Sequence, residues 1–186
     1  MSKATFTVGV FGLACWNNHD TLHIKVNERT DQKRQRKLAG LPENSTVKII
    51  DMPGGGVELL DFTDLKQTSL FDVLRREIME ETGGCAIRQA GPFSEPFMVV
   101  TNNLEDSKPT GDIAFWMPVI LKGKPRPTSE AQDHPWITLD QLEEETEYRA
   151  VGSLGKIGRT GRMIRAAFAW YGDRRGIPEC FSTPER

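Results

Sequence analysis

The stretch MPGGGVELLDFTDLKQTSLFDVLRREIMEETGG, residues 52–84, constrains the fold more than any other part of the chain. A β-rich run, TVKIIDM, ends in three consecutive glycines, and a helical run follows in which Leu70, Phe71, Leu74 and Ile78 fall on one stripe at ~100° per residue. Ser69, with Asp72 three residues on, is a capping pattern that starts the helix near Leu70, and Gly83 and Gly84 stop it. A strand, a turn open to conformations that only glycine takes, and a helix with one apolar face must pack as layers.

The same helix carries Glu77, Glu80 and Glu81 on an arc beside the apolar stripe. Neighbours at i, i+3 and i, i+4 lie ~5.5 Å apart at Cβ. Each like-charge pair therefore costs about 3 kcal/mol at an effective dielectric of about 20. Arg75 or Arg76 offsets part of this, and an oxygen-preferring divalent cation offsets more. An acidic helix face is most often a solvated face, and a triple glycine most often a tight turn. Their juxtaposition points to a metal site.

The chain has 186 residues, enough for one domain spanning 1–186 with a sizeable core. Its 27% charged and 38% hydrophobic residues are those of a globular protein. A net charge of -2 argues against nucleic acid as a partner, apart from local basic patches. Cys15, Cys85 and Cys180 show no metal-ligand spacing and read as reduced thiols, which places the chain in the cytoplasm. The N-terminus reads as a strand rather than a signal peptide, and no run reaches the ~20 apolar residues of a membrane span.

Along the chain, TFTVGVFGLACW and TLHIKVNERT read as a hairpin across NNHD, and DQKRQRKLAGLPENS as a long surface loop. Strands are expected at TVKIIDM, FMVVTN and DIAFWMPVILKG, then a Pro-rich loop, KGKPRPTSEAQDHP, and a short strand entering an acidic helix at WITLDQLEEE. Met163, Ile164, Ala167, Phe168 and Tyr171 mark a C-terminal helix around residues 159–175. The sum is an α+β layer fold. Arg29, Lys33, Arg34, Arg36 and Lys37 form a basic run that can attract a diphosphate, although such runs are mostly solvated. His134, beside Pro135 and Trp136, reads as packing or as a pocket wall. Trp16 and Phe115 can stack on a base but sit in strand-like runs. GSLGKIGRTGR lacks the spacing of a phosphate-binding loop.

REIMEETG, Arg76 to Gly83, fits position for position the second half of the pattern G-x5-E-x7-R-E-U-x-E-E-x-G-U, with U a bulky aliphatic residue. PGGGVE is similar to the loop that opens that pattern. On these residues the chain resembles the Nudix family. It departs from the pattern at three points. Twenty residues lie between Gly55 and Arg76 where the pattern has thirteen, the first glutamate becomes Asp61 or Thr68, and Gly84 holds the last aliphatic position. SEAQDHPWITLDQL resembles a later segment of the family in which a loop glutamate precedes a W-x-x-L strand.

The resemblance implies an α/β/α sandwich with a mixed central sheet, Mg²⁺ or Mn²⁺, and hydrolysis of a nucleoside diphosphate linked to another group. The substrate would be a nucleoside triphosphate, a nucleotide sugar or an ADP-ribose type compound. It implies that Glu77, Glu80 and Glu81 bind metal with the Gly54 carbonyl, and that Glu130 is a further ligand or the general base, a role that falls to Glu77 otherwise. Arg76 would orient Glu77 or Glu80, while Arg29, Arg34 and Gly55 would meet the substrate. The altered first half of the pattern leaves a second reading, a catalytically silent nucleotide-binding or regulatory module. The seven extra residues would either cap the pocket or pack on a second subunit of a homodimer.

Overall fold

The computed structural model describes residues 5–18, 21–57, 69–91, 94, 97–102, 109–152 and 154–173. The insertion at 61–68 and Cys180 lie outside the described residues.

Two strands distant in sequence form the spine. β1 (Thr5–Leu13) runs parallel to β9 (Pro109–Lys122), in register from Thr5 opposite Thr110 to Leu13 opposite Pro118. The glycine strand β6 (Gly54–Gly56) pairs antiparallel with β1, so that Gly54 faces Phe11 and Gly56 faces Gly9. β7 (Ala86–Ala90) and β8 (Phe97–Asn102) pair antiparallel with the second and first halves of β9. These five strands make a mixed sheet.

A four-stranded sheet has the order β10 (Ala131–Asp133), β4 (Asn27–Arg29), β5 (Lys48–Asp51), β12 (Tyr148–Ala150), with β12 parallel to β5. A three-stranded one has the order β11 (Trp136–Thr138), β3 (Thr21–Lys25), β2 (Cys15–Asn18). The helices are α1 (Gln32–Leu38), α2 (Leu70–Glu81), α3 (Leu139–Glu144) and α4 (Arg159–Asp173). A 3₁₀ turn at Gly155–Ile157 leads into α4.

Strand alternation sends side chains of β9 to two cores. Ala114 and Trp116 join Leu13, Ile137, Met163, Ile164 and Phe168 on the α4 side. Met117 and Val119 join Val10, Val73, Leu74 and Ile78 on the α2 side. Helices thus cover both faces of the spine, the expected α/β/α layering. Leu74 and Ile78 have no exposed surface, and burial of each stabilises the native state by about 1.5–3 kcal/mol. Val73 joins them in the α2 core, which widens the expected stripe by one residue.

Three local expectations need correction. The N-terminal hairpin is shorter than expected: β2 and β3 form it, while β1 breaks away at Ala14 to join β9 and β6. Residues 32–38, expected in a loop, are helical. QKRQRKL has no β-branched residue, glycine or proline to oppose a helix. Its first residue is anchored: the buried Gln32 amide donates to the Arg29 and Ile49 carbonyls and accepts the Ile49 N–H, each at 2.8 Å. The Pro-rich loop at 122–135 contains β10, held by Arg29 opposite Ala131. No helix among the described residues is long and apolar enough to cross a membrane.

Candidate active site

The site forms where the glycine strand meets the last two turns of α2. Capping fixes both ends of that helix. Ser69 Oγ accepts the Asp72 N–H at 3.2 Å and donates to Asp72 Oδ2 at 2.7 Å. At the other end Gly83 takes φ +68°, and the Gly84 N–H reaches back to the Met79 carbonyl at 2.8 Å, a Schellman closure. Gly54 is held at φ +134°, and a Cβ there would collide with the Val10 carbonyl oxygen. Only glycine lets this strand lie so close to β1.

Glu77 and Glu81, one turn apart, both turn toward the glycine backbone. A Cβ on Gly55 would collide with Glu77 Oε2. Glu81 Oε2 accepts the Gly54 N–H at 2.6 Å and lies 3.0 Å from the Asn27 amide. Arg76 reaches Glu77 Oε1 at 2.8 Å and Glu80 Oε2 at 3.4 Å, within ion-pair distance of both carboxylates named as its alternative partners. Glu80 points outward, its side chain 57% exposed against 15% for Glu77. Among the described residues, no three His, Cys, Asp or Glu side chains form a ready metal cluster.

Burial raises the Glu81 carboxyl to about 8, and the charges of Asp51, Glu77 and Glu130 push the same way against the Gly54 N–H. Burial likewise raises Asp51 at the end of β5, opposed by the Met52 N–H and by the charges of Arg29 and Arg159. This site therefore concentrates negative charge in a place that disfavours it.

A chain of hydrogen bonds leads away from Glu81. Asn27 stands between Glu81 and His134, whose Nδ1 lies 2.9 Å from Asn27 Oδ1 and whose Nε2 lies 3.2 Å from the Arg126 carbonyl. With the amide nitrogen toward Glu81, two acceptors flank the imidazole and both ring nitrogens must carry protons. With the amide reversed, Glu81 donates to Asn27 Oδ1, the amide donates to His134 Nδ1, and Nε2–H donates to Arg126 with the ring neutral. Burial lowers His134 below its ordinary value while raising Glu81. The second polarity therefore suits the protein at neutral pH without a bound cation.

Of the other residues singled out in the sequence, Glu130 is exposed on the loop before β10, its N–H donating to Thr128 Oγ1 at 3.2 Å and its carbonyl accepting from Thr30 at 3.1 Å. Its charge acts on Glu81. Arg29 on β4 pairs with Asp31 at 3.2 Å and Asp51 at 3.8 Å, which sets it at the edge of the acidic group. Arg34 is exposed on α1, and among the described residues no hydrogen bond or ion pair ties it to the site.

Beside Gly56 opens a cavity of about 230 Å³, walled by Val8 and Phe11 of β1, Ile113 of β9 and Met163 of α4, with Arg159 at the start of α4. Sequence reasoning missed this cavity, because its walls come from three distant segments. It also missed Asn27 and Asp51. Only Asp51 left a signal, a carboxylate closing a strand just before the glycines.

The architecture matches that of the NUDIX domain of Shewanella oneidensis NrtR, determined with ADP ribose, at a TM-score of 0.50 and 14% identity over 92% of this chain and 90% of that one. The chain has the Nudix fold. Similar structures include a C. elegans Ap4A hydrolase, at a TM-score of 0.51 and 12% identity over 91% of this chain and 98% of that one. The E. coli ORF135 protein is similar too, at a TM-score of 0.50 and 16% identity over 93% of this chain and 96% of that one. No family profile matches the sequence, and no curated protein does. At these identities the likeness carries the Nudix fold alone. In this fold the acidic end of α2 and the glycine strand are neighbours through direct contact, whatever the length of the segment that joins them in sequence.

Proposed function

We propose that this Nudix domain is a divalent-metal-dependent hydrolase that cleaves the diphosphate bridge of a nucleoside diphosphate linked to another group. The observation that carries the reading is Glu81: a largely buried carboxylate, hydrogen-bonded to Gly54 and Asn27, that feels the charges of Asp51, Glu77 and Glu130. Such crowding is a cost to the fold unless a ligand turns it to use.

The donor set suits Mg²⁺ or Mn²⁺, because it is all oxygen. Glu77 and Glu81 would hold the ion, joined by the Gly54 carbonyl, with Glu80 and Glu130 completing the set once they turn inward. Two carboxylates at the start are enough, since Mg²⁺ is commonly held by one or two carboxylates together with substrate phosphates and water. When bound, the ion supplies charge neutralisation for the diphosphate and its leaving group. The protein's own groups do the rest. Arg76 holds Glu77 in place by a charge-assisted bond. Glu130 takes the proton of the attacking water, and Gly55 lets the substrate's phosphates approach the backbone. Arg29 and Arg34 add positive charge on the approach side. The cavity between β1, β9 and α4 accommodates the part of the substrate beyond the phosphates.

The outward turn of Glu80 favours a second reading, a nucleotide-binding or regulatory module that does not hydrolyse its ligand. A Mg²⁺ titration with release of the nucleoside monophosphate, the product common to all three classes, measured over nucleoside triphosphates, nucleotide sugars and ADP-ribose separates the two. Metal-dependent release from any of these supports hydrolysis. Binding without release supports the module.

A further inference from the structure

The His134 ring joins two parts of the site, the Asn27 amide beside Glu81 and the loop that carries Glu130. It is 7% exposed, and its backbone is pinned on both sides: the His134 N–H donates to Asp133 Oδ1 at 2.7 Å, and Lys25 Nζ donates to its carbonyl at 2.8 Å. One ring nitrogen meets the Asn27 side chain at 2.9 Å, and Asn27, 3% exposed, meets Glu81 at 3.0 Å. The other meets the Arg126 carbonyl at 3.2 Å.

Arg126 belongs to the loop that carries Glu130. That loop is stitched to the end of α2 by Arg126 N–H to the Thr82 carbonyl at 3.0 Å and by Thr128 Oγ1 to the Glu81 carbonyl at 3.4 Å. The Glu130 N–H donates in turn to Thr128 Oγ1. Any buried imidazole needs partners for its ring nitrogens; here one partner touches Glu81 and the other lies on the loop that carries Glu130.

We propose that His134 is a positioning residue that holds the Glu81 carboxylate through Asn27 and the Glu130-bearing loop through Arg126, and so sets where these two carboxylates stand. This rests on the hydrolase reading above. Both polarities of the Asn27 amide keep the two bonds, so the positioning is the same in either.

The test compares His134→Phe, His134→Gln and, as a control buried nearby but outside the relay, Ile137→Val. The Mg²⁺ concentration that gives half of the metal-induced rise in melting temperature is measured for each, with kcat and KM. Loss of a residue that orients a ligand typically costs 10–100-fold in affinity or activity. His134→Phe is therefore expected to raise the half-point ~10-fold and lower kcat ~10-fold, with KM within about twofold. His134→Gln, which can regain the bond to Asn27 but not span to Arg126, is expected to recover the half-point to within about threefold and leave kcat low. Ile137→Val is expected to lower the melting temperature and change neither quantity.

If His134→Phe does not fold, Asn27→Ser gives the same measurement at the other link, with the same ~10-fold expectation. A wild-type protein whose melting temperature ignores Mg²⁺ overturns the hydrolase reading. A wild type that responds, alongside a folded His134→Phe or Asn27→Ser with the wild-type half-point and kcat, overturns the positioning role alone.

Discussion

Glu81 gives the site a measurable signature in pH. Its folded-state value of about 8 lies above the ordinary 4.5, so the native state holds a proton that the unfolded chain releases. The stability this contributes is fully present below about 4.5 and is lost as the pH rises through about 8, a change on the order of 5 kcal/mol. Asp51, also raised, adds in the same direction. His134, lowered, works oppositely, but only below its ordinary 6.5. The melting temperature in chelator should therefore fall from pH 6.5 to 8.5, and Mg²⁺ should flatten that fall by binding the ionised carboxylate. Glu81→Gln should remove most of the slope, raise the melting temperature in chelator at pH 8.5, and abolish both turnover and the response to Mg²⁺. A variant that kept the full slope would show that other groups set it. For the proposed base, Glu130→Gln should lower kcat by ~10²-fold with little change in KM, and a near-normal kcat would move the role to Glu77.

At the scale of elements, α2 stands on its caps and on its buried stripe. Ser69→Ala removes the acceptor for the Asp72 N–H and should cost about 1 kcal/mol by urea denaturation, whereas Leu74→Ala should cost about 2–5 kcal/mol. The smaller loss at the cap is the discriminating result, since it assigns the helix to packing rather than to local signals. These local signals are nevertheless what made α2 legible in sequence: Ser69, the apolar repeat and Gly83 all act within one turn of the residues they govern. The placing of Glu77, Glu80 and Glu81 on one helix could be read for the same reason, being fixed by spacing along it. What could not be read depends on distant partners. α1 is held by Gln32 reaching β5, β10 is a strand because Arg29 lies opposite Ala131, and Asn27 matters only because Glu81 and His134 flank it. No pattern around VNERT distinguishes that buried amide from a surface asparagine.

For the whole molecule, the two cores share β1 and β9, with Val10 and Leu13 of one strand buried on opposite faces. Ile78→Ala and Ile164→Ala open different cores, yet each should lower a single transition, seen at the same midpoint by tryptophan fluorescence and by far-ultraviolet circular dichroism. Separate midpoints in either variant would mean that the layers melt independently. The pairing of β1 with β9 has a further consequence for how the chain reaches this state. The partners lie about a hundred residues apart, so at ~5–20 residues per second a ribosome delivers β9 on the order of 5–20 s after β1. In that interval β1 can zip to the glycine strand, which leaves its other edge open to any extended chain nearby. The nascent protein is thus most exposed to mispairing before the first half of β9 emerges, and a holding chaperone that binds strands would act in that window rather than on the finished domain.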